Sequence, residues 1–115
     1  QVWQYTISTD TWQQKNNFPF AGRWRASGAS LHNFGYLLFG IDSAGAFRKE
    51  LFRYNPNTDA WTKISDFPLQ AGRAYAAMEG LSEKLLVFGG YDSIQYFYQQ
   101  QAAEIYQTGA GCVLY

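Results

Sequence analysis

The sequence predicts an all-β fold built from repeated four-stranded antiparallel units, and two observations carry that expectation. The first is a turn device used twice. Tyr5-Thr6-Ile7-Ser8-Thr9-Asp10-Thr11-Trp12 and Tyr54-Asn55-Pro56-Asn57-Thr58-Asp59-Ala60-Trp61 each combine a strand end, a tight turn and a new strand, and both their tyrosines and their tryptophans lie 49 residues apart. Pro56 presets φ for a turn, while Asn55, Asn57 and Asp59 tolerate or cap turn geometry. The second observation is the order of segments inside that period: alternating strand, turn, short strand, Pro/Gly connector, small-residue strand, turn, apolar strand. A long, aromatic-anchored period of this kind denotes a repeat architecture, and four short antiparallel strands in about 50 residues form one blade of a β-propeller.

Taken in order, Val2 to Ile7 alternates apolar and polar residues as a strand does, Thr9-Asp10 turns the chain, and Trp12 to Lys15 forms a second short strand. Phe18-Pro19-Phe20-Ala21-Gly22-Arg23 is a connector punctuated by Pro and Gly. Arg25 to Leu31 is rich in Ala, Ser and Gly and suits a strand in a crowded place. Asn33-Phe34-Gly35 carries a turn signal. Tyr36-Leu37-Leu38-Phe39 is wholly apolar, as expected of a strand buried on both faces. Gly40 ends it, and Asp42 to Phe47 reads as a loop. The cycle then repeats. Glu50 to Tyr54 and Trp61 to Ile64 are strands, Phe67-Pro68 answers Phe18-Pro19, and Gly72-Arg73 answers Gly22-Arg23. Ala74 to Met78 is the second small-residue strand, and Leu85-Leu86-Val87-Phe88 is the second buried run. Gly89-Gly90 and Asp92-Ser93 follow. No helix of usable length is expected. Gln95 to Glu104 reads as helix or loop, Ala103-Glu104-Ile105-Tyr106 as the next Tyr-bearing strand, and Gly109 to Tyr115 fits no period.

Composition narrows the function classes. The 115 residues are enough for about one small domain, 47% are hydrophobic, and 19% are aromatic, which favours strands and sheet interfaces. Nine basic and nine acidic residues balance, with no basic run to follow a phosphate backbone, so no nucleic-acid partner is expected. No apolar run approaches the roughly 18 residues of a membrane span. The single Cys112 allows no internal disulfide, and no metal-spaced Cys/His cluster is present. From the start at Gln1, without Met, a processed product or a piece of something longer is expected.

The diglycine Phe88-Gly89-Gly90 and the pair Tyr54 and Trp61 resemble the kelch repeat. In that motif an apolar strand ends in two glycines, and a Tyr is followed by a Trp some six or seven residues on. The wording around Tyr54 to Trp61, and Phe-Pro before an Arg, is especially similar to kelch proteins of the bacterial surface and secretome. The resemblance covers roughly residues 1–93: 1–23 as the end of one blade, 24–72 as a blade, and 73–93 as the start of the next. Residues 94–115 form a divergent segment that holds the remaining strand or strands. It implies a kelch-type β-propeller segment of about two blades, with Tyr5, Trp12, Gly40, Tyr54, Trp61, Gly89 and Gly90 as its structural motif. Trp12 and Trp61 would be equivalent wedge residues between blades. The first diglycine is matched by Gly40-Ile41, a departure from the pattern.

Kelch propellers include a copper radical oxidase and carbohydrate epimerases. Copper there needs several His and Tyr ligands, and His32 is the only histidine, placed at a strand end as a turn or surface residue. No epimerase acid–base pair can be placed, and Cys112 has no identifiable base beside it. Asp42 and Asp92 are turn formers. No catalytic residue, metal or cofactor is therefore assigned. In the family the small-residue strands are innermost, and residues leading into them face the central channel or one rim. Arg23, Arg25, Arg73 and Tyr75 hold those places. Arg23 and Arg73 share a register and can equally be structural, bonding carbonyls of a neighbouring blade. Arg25 and Tyr75 share a register but differ in type, as a ligand-facing position does. The resemblance implies a non-catalytic interaction module binding protein or glycan, extracellular, on the cell surface or periplasmic. The alternative is part of a carbohydrate-active enzyme whose catalytic residues lie outside this chain. Two blades leave faces and edges open, so either further blades of a longer chain or further copies are expected to close the ring. Three copies of two blades would give six, with Val2 to Lys15 of one completing the blade begun by Ala74 to Gly90 of another.

Overall fold

The computed structural model describes residues 1–68, 71–93 and the backbone of 102–107. The chain is all-β and blade-like, in antiparallel sheets of two to four strands. Among the described residues the only helical element is a single 3₁₀ turn, Ile7–Thr9. The segments 94–101 and 108–115, with Cys112, lie outside the described residues.

Strands β1 (Val2–Thr6) and β2 (Thr11–Lys15) form a hairpin, with Tyr5 opposite Trp12. Strands β3 (Arg23–Trp24) and β6 (Ile41–Asp42) pair as a short separate ribbon. The complete unit is the four-stranded sheet β4 (Ser27–Leu31), β5 (Phe34–Leu38), β7 (Glu50–Asn55) and β8 (Ala60–Asp66), in that spatial order. Strands β9 (Ala77–Leu81), β10 (Lys84–Phe88) and β11 (Ala102–Gln107) form a three-stranded sheet. In the first sheet β7 lies beside β5 with Tyr54 opposite Gly35; in the second, β11 lies beside β10 with Tyr106 opposite Leu85. Gly35 and Leu85 are 50 residues apart, so Tyr106 holds the position of Tyr54.

That pairing corrects the expected ring assembly. The edge of β10 that Val2 to Lys15 of another copy was to complete already carries β11 of the same chain.

The wholly apolar β5 is explained by the packing of its two faces. Tyr36 and Leu38 are buried in a core shared with Leu51, Phe67, Met78, Leu85 and Val87. On the other side Leu37 lines a cleft of about 290 Å³ with Phe18 and Trp61. Phe52, 2% exposed, packs edge-on to Phe18 at 4.9 Å and against Phe20 at 4.4 Å. The four-stranded sheet thus lies between the first hairpin's connector and the three-stranded sheet.

Several boundaries move by one or two residues. The turn between β4 and β5 sits at His32-Asn33, both at positive φ (50° and 64°), rather than at Asn33 to Gly35. Asp42 belongs to a strand rather than a loop. The predicted strands Arg25 to Leu31 and Ala74 to Met78 begin later, because Arg25 and Tyr75 adopt φ 57° and cannot continue a pleat. The predicted Gly40-Ile41 counterpart of the diglycine is also displaced. Phe39 and Gly40, at φ 67° and 97°, match Gly89 and Gly90 at 62° and 87°. A left-handed non-glycine residue costs about 1–2 kcal/mol. Phe39 offsets this by complete burial, with its ring edge-on to Phe67 at 4.9 Å. The second glycine has no substitute: a Cβ on Gly40 would lie 2.9 Å from the Trp24 carbonyl oxygen, and one on Gly90 2.9 Å from that of Ala74.

The small-residue strands are small because they touch. A Cβ on Gly80 would lie 2.1 Å from the Ser30 carbonyl oxygen. The Ser27 hydroxyl donates across the same junction to the Ala76 carbonyl at 2.6 Å. Gly80→Ala is expected to destabilise by about 1–3 kcal/mol or more, since backbone must move. Gly28→Ala, whose Cβ would meet its nearest neighbour at an ordinary 3.6 Å, should cost clearly less. Denaturant midpoints of the two variants check this, and equal losses would show that the junction is not close-packed at Gly80.

Candidate functional site

The register pairs Tyr5/Trp12 and Tyr54/Trp61 reproduce one local structure. The Tyr5 hydroxyl donates to Asp10 Oδ1 at 2.7 Å and the Tyr54 hydroxyl to Asp59 Oδ1 at 2.6 Å. Both aspartates are left-handed, at φ 50° and 51°. The rings pack at 4.9 Å and 5.0 Å respectively. The surroundings differ. Trp61 is half-buried, edge-on to Phe18 at 5.0 Å, whereas Trp12 is 66% exposed and Tyr5 43%. The two tryptophans are therefore equivalent in register but not in burial, because only Trp61 has an aromatic connector laid against it. Asp59 also accepts the backbone N–H of Asn16, at 3.0 and 3.1 Å to its two oxygens, which ties the first hairpin to the next unit's turn.

Arg23 and Arg73 occupy one environment twice. Each lies 16 residues before a carbonyl that accepts from its Nη1: Phe39 at 3.3 Å for Arg23, Gly89 at 3.2 Å for Arg73. Both bonds span the same 16 residues of sequence, so the two arginines are equivalent in the repeat. Arg23 packs over Phe18 and Phe52, and Arg73 over Phe67 and Phe39. Arg73 is 0% exposed and the Arg23 side chain 2%. Burial pulls the Arg23 pKa down, against the pull of Glu50, whose Oε2 is 3.5 Å from Nη1. Glu50 also pairs with Arg48 at 3.0 Å. Neither Arg23 nor Arg73 presents its guanidinium to solvent.

Arg25 and Tyr75 are placed differently, and side by side. The Tyr75 N–H donates to the Arg25 carbonyl at 3.1 Å, joining equivalent residues of consecutive repeats. The guanidinium carbon of Arg25 lies 3.8 Å from the Trp24 ring centroid and 4.4 Å from that of Tyr75. Arg25 Nη1 donates to the Tyr91 hydroxyl at 2.9 Å, and Tyr91 stacks on Tyr75 at 5.7 Å. Phe47 closes the group, edge-on to Tyr91 at 5.6 Å. Trp24 is 51% and Tyr75 58% exposed. The result is a surface arginine held between aromatic rings where two repeats meet. Sequence reading missed Trp24, Phe47 and Tyr91. The available signal was the one that selected Arg25 and Tyr75, unlike residue types at one register: Trp24 matches Ala74, and Tyr91 matches Ile41.

The remaining candidates are local. His32 lies on the exposed turn with Nε2 3.0 Å from Glu83 Oε2. Asp42 accepts the N–H groups of Ala44 and Ala46, both at 2.9 Å, and forms the turn that follows it. Among the described residues no three His, Cys, Asp or Glu side chains cluster, and no helix is long and apolar enough to cross a membrane. No family model matches this chain, and no curated protein sequence matches it.

The Tyr–Asp latch makes stability pH-dependent at both ends. Burial first, then Asp59, pushes Tyr54 up from 10.0 to about 12. A group raised on folding stabilises fully below its unfolded value and loses that contribution as pH rises through the folded one. The Tyr54 contribution should therefore fade between pH 10 and about 12. The Tyr54 hydroxyl, foremost, holds Asp59 below its ordinary 3.8, and the Ala46 amide, foremost, does so for Asp42. Those contributions are complete above pH 3.8 and vanish as pH falls below it. Melting curves across pH are expected to show Tyr54→Phe flattening the alkaline loss and Asp59→Asn the acid loss. An alkaline arm unchanged in Tyr54→Phe would mean the latch does not couple to folding.

Proposed function

We propose that this chain is a segment of a kelch-type propeller that serves as a non-catalytic binding module for protein or glycan, with the surface around Arg25 and Tyr75 as its contact face. In this reading it belongs to a bacterial surface or secreted protein, and further blades complete it. One observation supports the contact face above the others. Two non-glycine residues at equivalent places, Arg25 and Tyr75, both adopt φ 57°. Such a backbone costs on the order of 1–3 kcal/mol per residue and persists where surrounding structure enforces it, commonly at ligand contacts. Here it brings an arginine and several aromatic side chains to the surface, and Trp, Tyr and Arg are the types that dominate binding energy at interfaces. Arg23 and Arg73 take the structural role in this reading, anchoring the strands that carry the face.

Glycan and peptide arrays probed with the wild-type chain and with Tyr75→Ala test the proposal. Tyr75 is more than half exposed, so its loss should shift the melting temperature little. Every specific array signal is expected to fall at least tenfold. Signals that survive unchanged in Tyr75→Ala would place binding elsewhere on the molecule.

A further inference from the structure

The Arg25 cluster specifies more than a sticky surface. Its guanidinium has rings on either side in sequence, Trp24 at 3.8 Å and Tyr75 at 4.4 Å from the guanidinium carbon. Rings this close stack on a planar cation and leave its edge for hydrogen bonding. One edge N–H, on Nη1, is used by the Tyr91 hydroxyl. Arg23 and Arg48 are each drawn to a carboxylate of this chain, but among the described residues Arg25 has no ion pair. A guanidinium carries five N–H donors in a planar fork that fits a carboxylate with two parallel bonds. Partial desolvation by the flanking rings strengthens such a pair. The group is therefore set up to receive a planar oxyanion edge-on.

The flanking rings narrow the class further. Tyr75 is stacked by Tyr91 and contacted by Arg25, whereas Trp24, 51% exposed, keeps ring surface open beside the cation. The π face of an aromatic ring is negative and attracts weakly positive C–H groups, which a pyranose presents as a flat patch. The Tyr91 hydroxyl, which accepts from Arg25 Nη1, helps fix the orientation of the guanidinium. A sugar ring bearing a carboxylate offers both features within one residue: an oxyanion for Arg25 and a C–H face for Trp24. Building on the binding-module reading above, we infer that the Arg25–Trp24–Tyr75–Tyr91 cluster is a subsite for a carboxylate-bearing pyranose, of the uronic acid type, in an acidic glycan.

Isothermal titration calorimetry of the full chain tests this, with trigalacturonate, its methyl ester and a triglutamate peptide as probes. Trigalacturonate is expected to bind, to weaken at least tenfold on esterification, and to weaken further as salt is raised. Arg25→Gln should reduce trigalacturonate binding at least tenfold, and Arg25→Lys should restore little of it, because a point charge cannot make the two parallel bonds. Near-ultraviolet circular dichroism of each variant shows whether it is folded, and the comparison among probes on the wild-type chain does not depend on any variant. No binding of trigalacturonate would overturn the inference. So would equal affinity for acid and ester, or tighter binding of triglutamate. In the last two cases loss of binding in Tyr75→Ala would still uphold the contact face, so the two readings fail separately.

Discussion

Everything in this molecule depends on how closely β4 and β9 approach. The Ser30 carbonyl lies where a side chain on Gly80 would begin, and Ser27 reaches across to the Ala76 carbonyl. Two backbones can come this close only where a Cβ is absent, which is why Gly80 stands opposite Ser30. The approach aligns equivalent residues of consecutive repeats, so a feature carried once per repeat becomes a pair in space. The Tyr75 N–H meets the Arg25 carbonyl, and the Gly40 N–H meets that of Arg73 at 2.8 Å. The candidate contact face follows from this alignment.

At the other end of the sheet the junction is sealed by size rather than smallness. Phe18 and Phe20 lie against Phe52, and Phe18 against Trp61. Asp59, held by the Tyr54 hydroxyl, accepts from the Asn16 backbone. A turn that looks local in sequence is thus also the receptor for the preceding unit. Tyr5 and Asp10 make the same bond without a connector laid on them, and the Tyr5 and Trp12 rings remain exposed. The latch is therefore intrinsic to the Tyr-turn-Asp sequence, while burial of its aromatic pair depends on the neighbour.

The parts of the fold legible in the sequence are those written in residue type. Spacing of Tyr and Trp, turn chemistry at Asn55 to Asp59 and the apolar runs at Tyr36 and Leu85 all announce strands and turns. Left-handed backbone at ordinary residues has no such signature. Phe39 stands where the second repeat has Gly89, and an aromatic residue after an apolar strand reads as one more strand residue. Only the partner repeat, aligned by φ rather than by letter, shows the equivalence. Of the candidate site, Arg25 and Tyr75 were visible as unlike residues at one register. Trp24 and Tyr91 obeyed the same rule but fell between the assigned segments: Trp24 between connector and strand, Tyr91 between the diglycine and Asp92.

The same backbone feature accounts for the opposite fates of arginines two residues apart. In an extended strand residues i and i+2 point to one face, so Arg25 would follow Arg23 inward, and Tyr75 would follow Arg73. That face is already filled. Arg23 rests on Phe18 and Phe52, and Arg73, wholly buried, on Phe39 and Phe67. A second guanidinium beside Arg23 would add a like charge and an uncompensated desolvation cost of several kcal/mol. The φ of 57° at Arg25 and Tyr75 breaks the alternation after one residue. It returns both side chains to the surface at roughly 1–2 kcal/mol each, the smaller of the two costs. The kink also stops β3 at Trp24 and lets β4 begin at Ser27, so the small-residue junction can form. Strain at two residues thereby separates a buried arginine in each repeat from a more exposed residue two positions on, at the junction of the repeats.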